Sequence, residues 1–343
     1  MNKVLITGGA GFIGSNLALS LLKQNWQVVI FDNLSRKGSK QNLEWVKKIN
    51  PNRKNLKIQI NDIRDVQTID KAVKNAEVIF HLAAQVAVTT SFLNPREDFE
   101  INLGGTFNIL EAARKSQHKP TIVFASTNKV YGNLENLKVK KVKNRYLFED
   151  KKVISETYPL DFHSPYGCSN GAADQYVRDY FRMYQIPTVV FRQSCIYGPR
   201  QMGVEDQGWT AHFAIASILG KPITIFGEGK QVRDLLHVDD LIEAYLKSIT
   251  LINKTRGEVF NIGGGEKHSF SLLEYIQFLE KLLNKKIKFK LAPVRPGDQK
   301  IYISDNTKLK KILDWQPKTC HKDGLKSLAI WVKDNRDIFR SLS

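Results

Sequence analysis

The run TGGAGFIGS at residues 7–15 constrains the fold of this chain more than any other stretch. It places Gly8, Gly11 and Gly14 just after a short apolar run, residues 4–7, and at the mouth of a helix expected over Phe12–Lys23. A first glycine permits a tight turn, a second lets backbone amides approach a pyrophosphate at the positive helix end, and a third lets helix pack closely on strand. Asp32 closes the next apolar run, where a carboxylate can accept the hydroxyls of an adenosine ribose. That carboxylate would repel a 2′-phosphate, which favours NAD over NADP, although Arg36 and Lys37 lie close by in the chain. Asp62, after the third run, is the candidate for an adenine amino group or an ordinary strand-end turn residue.

Apolar runs at residues 4–7, 28–31, 56–60, 78–82, 122–125 and 189–192 alternate with longer helical patterns. Apolar strands joined by crossover helices imply an α/β fold, a doubly wound parallel Rossmann sheet covered on both faces. From about Gly198 the elements become shorter and mixed. Helices are expected at Trp209–Leu219, 238–249 and Leu272–Leu283, with strands at Ile223–Phe226, 259–262 and 287–291. The reading is a dinucleotide domain over residues 1–197 and a smaller C-terminal α/β substrate lobe over 198–343, with 235–262 a candidate to return to the first domain.

The balance of 52 Lys and Arg against 34 Asp and Glu gives a formal charge of +18. The lysines are scattered without interleaved aromatics, so a solvated basic surface that steers an anionic small substrate fits better than nucleic-acid binding. Cys168, Cys195 and Cys320 are odd in number and far apart, in no metal-ligand or disulfide spacing, which suggests a reducing cytoplasm and no metal. Neither a membrane-spanning run nor a signal-peptide pattern before Thr7 is expected.

The GxxGxxG spacing resembles the extended short-chain dehydrogenase/reductase family of nucleotide-sugar enzymes. So do HLAAQ at 81–85, NLGGT at 102–106, the Ser126-Thr127 pair before VYG, and Tyr166 after a proline. The resemblance spans the chain. It implies an NAD site extended by Phe12, Ile13, Asn33, Ile63, Leu82, Ala83, Ala84, Gln85, Ser126, Tyr166, residue 170 and Gln193. It also implies a cytoplasmic homo-oligomer paired through helices at 98–116 and 167–184. Within the family, the strings FDNLSRKG, STNKVYG, LDFHSPYGCS, GAADQY, DQGW and GKQVRD are similar to the branch that inverts carbon 2 of a CDP-linked dideoxysugar for surface polysaccharide. A UDP-hexose 4-epimerase and a non-turning-over nucleotide-sugar binder remain the alternatives.

Removing hydride from a sugar carbinol requires a base for the hydroxyl proton. The resemblance assigns Tyr166 to this, with Thr127 aligning the same oxygen. A phenol titrates near pH ~10, so lowering that by about 3 pH units needs about 4 kcal/mol of differential stabilisation. A lysine four residues later, on the same helix face, supplies part of it in the family. This chain has Asn170 there. Asn170 can donate to a ribose but carries no charge, so a crippled enzyme, one with a higher pH optimum, and a binder all stay open. Lys129 lies too far along the chain to be assumed a substitute. Asn128 and Lys129 stand where 4,6-dehydratases of the family carry acids, which argues for epimerisation over dehydration. Arg233 and Arg295 are the family-like cations for the diphosphate, and Gln85, Val86, Thr90, Thr127, Asn128, Cys195 and Asp298 are the further residues the resemblance places at the substrate. The basic stretch 137–145 is read as a loop, either covering the site or mobile.

Overall fold

The computed structural model describes residues 3–50, 52–150 and 153–341. The first two residues of the expected dinucleotide domain and the last two of the expected substrate lobe lie outside the described residues.

Seven parallel strands form the central sheet: β1 (Lys3–Thr7), β2 (Gln27–Phe31), β3 (Leu56–Gln59), β4 (Val78–His81), β5 (Thr121–Thr127), β6 (Thr188–Gln193) and β7 (Glu258–Ile262). Their spatial order is β7-β6-β5-β4-β1-β2-β3. The chain runs outward from β1 in both directions, so connections diverge between β1 and β4 and leave a crevice at the carboxyl ends. Register is tight, with Thr7 beside Phe31 and His81 and Thr127 beside Gln193.

Alternate side chains of each strand point to opposite faces. On one face Val4, Ile6, Phe80, Val123, Phe191 and Phe260 pack under α1 (Phe12–Lys23) and the helix Val238–Thr250. On the other, Leu5, Ile79, Ile122, Phe124 and Val190 meet α2 (Gly105–Lys115) and α3 (Ser164–Tyr184). Both faces are covered, so the strands read as continuous apolar runs rather than as alternating ones.

A third core gathers the helices Trp209–Leu219, Leu272–Leu283 and His321–Asp334. Beside it, Ile223–Phe226 pairs in parallel with Phe289–Ala292, two residues beyond the expected start of that strand. Val232–His237 forms the spine between the lobes. It pairs with Cys195–Tyr197 and Ile301–Tyr302 in parallel and with Ser269–Ser271 in antiparallel fashion.

The basic stretch 137–145 is a strand and the connecting loop of a hairpin docked on the second lobe. Val139–Lys141 and Tyr146–Phe148 form an antiparallel hairpin. Tyr146 N–H donates to the Lys230 carbonyl and Arg145 donates to Ser269, while Val139, Tyr146 and Phe148 pack with Val232, Ile301 and Ile303. Its lysines stay on the solvent side while alternate apolar residues dock it on the second lobe. No helix among the described residues is long and apolar enough to cross a membrane.

Candidate active site

A cleft of about 530 Å³ runs from the Gly-rich turn, across the carboxyl ends of the strands, to the second lobe. At its first end the turn closes through Gly11 N–H donating to the Gly8 carbonyl. Gly8 has φ +71°, and a Cβ there would stand 2.7 Å from the Ala83 nitrogen. A Cβ on Gly14 would overlap the Gly8 carbonyl oxygen. Only glycine fits at either position, and the result is a bare backbone cradle at a helix N-terminus.

Asp32 accepts from the Ala10 N–H at 3.0 Å and the Leu34 N–H at 2.8 Å. Burial raises its pKa, and these two backbone donors only partly offset that. Among the described residues no cation pairs with it, so this carboxylate has acceptor capacity left for hydroxyl donors. Cradle and carboxylate together fit the diphosphate and adenosine ribose of NAD. Arg36 donates to Gln207 at 2.9 Å, which turns it toward the second lobe.

Asp62 also borders the cleft but is already satisfied. It accepts two bonds from the Arg64 side chain, one from the Arg64 N–H and one from Asn33. Those four bonds fill the usual acceptor sites of a carboxylate and hold its pKa down at about 2, chiefly through Arg64. An adenine amino group at this carboxylate would share it with, or replace, the part-exposed Arg64.

Phe12, Ile13, Ile63, Leu82, Ala83, Ala84, Val86, Ser126 and Gln193 line the cleft as well. The Ser126 hydroxyl is committed beneath it to Asp174 at 2.8 Å, which in turn grips the buried Arg192. Gln193 donates to Tyr245 at 2.6 Å. Gln85 and Thr90 are not among the lining residues. The Gln85 side chain bonds Asp98 and the Ala87 backbone, and Thr90 is exposed on the short helix Val88–Leu93. Both were expected to face substrate; Gln85 is committed to Asp98 and the Ala87 backbone, and Thr90 is exposed outside the lined cleft.

At the centre, Tyr166 in the first turn of α3 and Thr127 at the end of β5 both line the cleft, with the Thr127 hydroxyl close enough to the phenol to lower its pKa. Burial pushes the Tyr166 phenol above its usual pKa, the Thr127 hydroxyl lowers it, and the Asp98 carboxylate raises it further. Asp98 is itself buried and pushed up by burial, held by Ser169 at 2.5 Å, Gln85 at 2.9 Å and Asn102 at 3.1 Å. Asn170 lines the cleft, but its amide donates back to the Tyr166 carbonyl at 2.9 Å. No cation is among the groups that set the titration of the phenol.

The second lobe contributes cations with counter-ions in place. Arg233 donates to Asp298 at 2.6 Å. Arg295 lies 3.2 Å from Asp206 and stacks on Phe226 at 3.5 Å. Cys195 accepts from the Trp209 indole at 3.4 Å and is pushed up by burial, unlike a reactive thiolate. Asn128 donates to Gln299 at 2.9 Å, joining the lobes. Lys129, set aside in the sequence for its distance from position 170, also enters the cleft. Its ammonium donates to the Gly297 carbonyl at 2.9 Å and lies 4.0 Å from Asp298. The signal available in the sequence was its place in the STNK run, two residues past Thr127.

The pattern of the GDP-mannose 4,6 dehydratase family matches residues 5–328. The chain is 45% identical to the CDP-paratose 2-epimerase of Salmonella typhi over 96% of this chain and 99% of that one. It is 33% identical to a putative UDP-glucose 4-epimerase of Methanocaldococcus jannaschii over 97% and 99%. A UDP-glucuronic acid 4-epimerase from Bacillus cereus, solved in complex with UDP-glucuronic acid and NAD, superposes with TM-score 0.82 at 29% identity, covering 97% of this chain and 99% of that one. A dTDP-glucose 4,6-dehydratase from Streptomyces venezuelae with NAD bound gives 0.86 at 26% over 99% and 100%. The chain therefore belongs to the GDP-mannose 4,6 dehydratase family of the extended short-chain dehydrogenase/reductases, enzymes that use NAD to rework nucleotide sugars.

Proposed function

We propose that this chain is an NAD-dependent epimerase of a CDP-linked sugar that converts CDP-paratose to CDP-tyvelose by inverting carbon 2. The observation that carries the reading is that Thr127 and Tyr166 stand together on the cleft wall, with Thr127 followed by Asn128 and Lys129 rather than by acids. The 45% identity to a CDP-paratose 2-epimerase supports the choice of substrate. Bound NAD supplies a hydride acceptor that returns what it takes.

The chain's own residues do the rest. Asp32 and the Gly8–Gly14 cradle hold the dinucleotide. Arg233 and Arg295 exchange their carboxylate partners for the substrate diphosphate. Tyr166 takes the proton from the carbon-2 hydroxyl as hydride leaves that carbon, and Thr127 aligns the oxygen. The keto sugar then turns in the cleft, and Tyr166 gives the proton back as hydride returns to the opposite face. With Asn128 and Lys129 directly after Thr127, those positions offer no acid to protonate a leaving hydroxyl, which disfavours dehydration. With Asn170 in place of a cation, the phenol works against its own burial, so turnover is slow near neutral pH. The same reading includes pairing of two copies through α2 and α3, in a cytoplasmic enzyme of polysaccharide synthesis.

The test is direct. Purified protein should release NAD on denaturation, and should convert CDP-paratose but not UDP-glucose when followed by proton NMR. Conversion of UDP-glucose alone would replace this substrate by the UDP-hexose alternative.

A further inference from the structure

Lysines are seldom buried without a partner, because removing an ammonium from water is costly. Lys129 keeps only 18% of its side-chain exposure, and its carboxylate neighbour Asp298 stands at 4.0 Å, beyond hydrogen-bond reach. Asp298 is already engaged by Arg233 at 2.6 Å. The ammonium has three donors, and among the described residues one is used, on the Gly297 carbonyl. Burial lowers its pKa to about 8, with Asp298 opposing this and Arg233 adding to it. At neutral pH the group is therefore a mostly charged donor with unused capacity, on the wall of the cleft.

Its backbone fixes where that capacity is spent. The Lys129 N–H donates to the Thr127 hydroxyl at 3.2 Å, the same hydroxyl that meets Tyr166. The far end of the side chain lies near Cys195 and Arg233. One residue thus spans the interval between the proton-handling pair and the diphosphate cations.

We infer that Lys129 is a positioning and specificity residue for the sugar ring, donating a charge-assisted hydrogen bond to a ring hydroxyl or keto oxygen between Tyr166 and Arg233. The inference rests on the sugar-nucleotide reading above. A lysine suits the task better than an arginine fork, since a compact point charge on a flexible stem can follow a ring that turns between two hydride transfers.

The experiment compares affinity for a sugar nucleotide with affinity for the same nucleotide lacking its sugar, by calorimetry on the NAD-loaded protein. Wild type should bind CDP-paratose more tightly than CDP. Lys129→Met should lose about tenfold or more of affinity for CDP-paratose, in line with a hydrogen bond to a charged group. CDP affinity should stay within about twofold. Lys129→Arg should recover part of the loss. Retained NAD and an unchanged melting temperature report that each variant folds. An equal loss for CDP would mean that the lysine serves the diphosphate or only holds the Gly297 loop, and an unchanged affinity for both would mean that it touches neither; each overturns the inference. The same comparison with UDP-glucose and UDP separates failure of the base assignment from failure of the lysine's role, because each pair shares its base.

Discussion

Tyr166 shows how one neighbour sets the working range of a base. Its phenol is pushed up by burial and by Asp98, with only the Thr127 hydroxyl opposing, and the adjacent Asn170 turns its amide to a backbone carbonyl. A phenol that must lose its proton to act gains activity as pH rises, so turnover should climb through the alkaline range. Asn170→Lys brings a cation to the same helix face and lowers the phenol's pKa, moving the rising limb to lower pH. A gain of about tenfold in kcat is expected at pH 7, where about 1.4 kcal/mol suffices, with the two profiles converging at high pH. Superimposable kcat profiles would show that the charge is irrelevant. His81 makes a different kind of demand. It is fully buried between Thr7 at 2.8 Å and Thr106 at 2.9 Å, and burial lowers its pKa to about 3. Between pH ~6.5 and pH ~3 the unfolded chain binds a proton here that the folded chain refuses, so stability is lost as pH falls. From pH 7 to pH 5 the loss is about 2 kcal/mol. Urea midpoints should show this for the wild type and a flatter profile for His81→Gln.

At the scale of elements, the turn joining β1 to α1 has no slack. A Cβ at position 14 would meet the Gly8 carbonyl oxygen and the Gly9 Cα, so Gly14→Ala must push α1 off the sheet. NAD retention should fall by about tenfold or more, while circular dichroism stays close to wild type; full retention would show that the helix can shift without cost to the cradle. This turn was legible because its constraint is local, written in glycines and the apolar runs flanking them. The central strands were legible for a related reason. A strand buried on both faces needs an unbroken apolar run, and 28–31, 78–82 and 122–125 supply one each. The hairpin Val139–Lys141 and Tyr146–Phe148 was not, because its lysines mask the alternation and its docking partners, Val232, Ile301 and Ile303, come from far along the chain. The place of Lys129 on the cleft wall was hidden in the same way, although it supplies no charge to the Tyr166 phenol. Its burial is imposed by Gly297 and Asp298, and nothing near position 129 in the sequence announces them. Gln85 and Thr90 differ in the opposite sense: they sit as expected after β4, but the Gln85 amide is taken by Asp98 and Ala87, and Thr90 lies outside the lined cleft.

Among the exposed apolar side chains, one group forms a row of rings on α2 and α3. Phe107 on α2 is 42% exposed, and Tyr176 and Tyr184 on α3 are 45% and 44% exposed. Their rings form a continuous row, with Phe107 5.8 Å from Tyr176 and 6.4 Å from Tyr180, and Tyr180 5.0 Å from Tyr184. In a chain carrying a formal +18, self-repulsion opposes non-specific clustering, so a contiguous aromatic row stands out as a specific contact surface. Its position on two adjacent helices favours a two-fold pairing in which each copy presents the same row to the other. Such pairing would also brace α3, whose first turn carries Tyr166. Light scattering should therefore give a mass of at least twice 39.1 kDa. Phe107→Glu with Tyr176→Glu should reduce the mass to that of one chain, since unpaired carboxylates would be buried at the centre of the contact. The dissociated variant should keep its NAD, because Gly8, Gly14 and Asp32 belong to the β1–α1 turn and the end of β2 rather than to α2 or α3, but should lose kcat as α3 loosens. A wild type that scatters as a single chain would remove both the pairing and the brace.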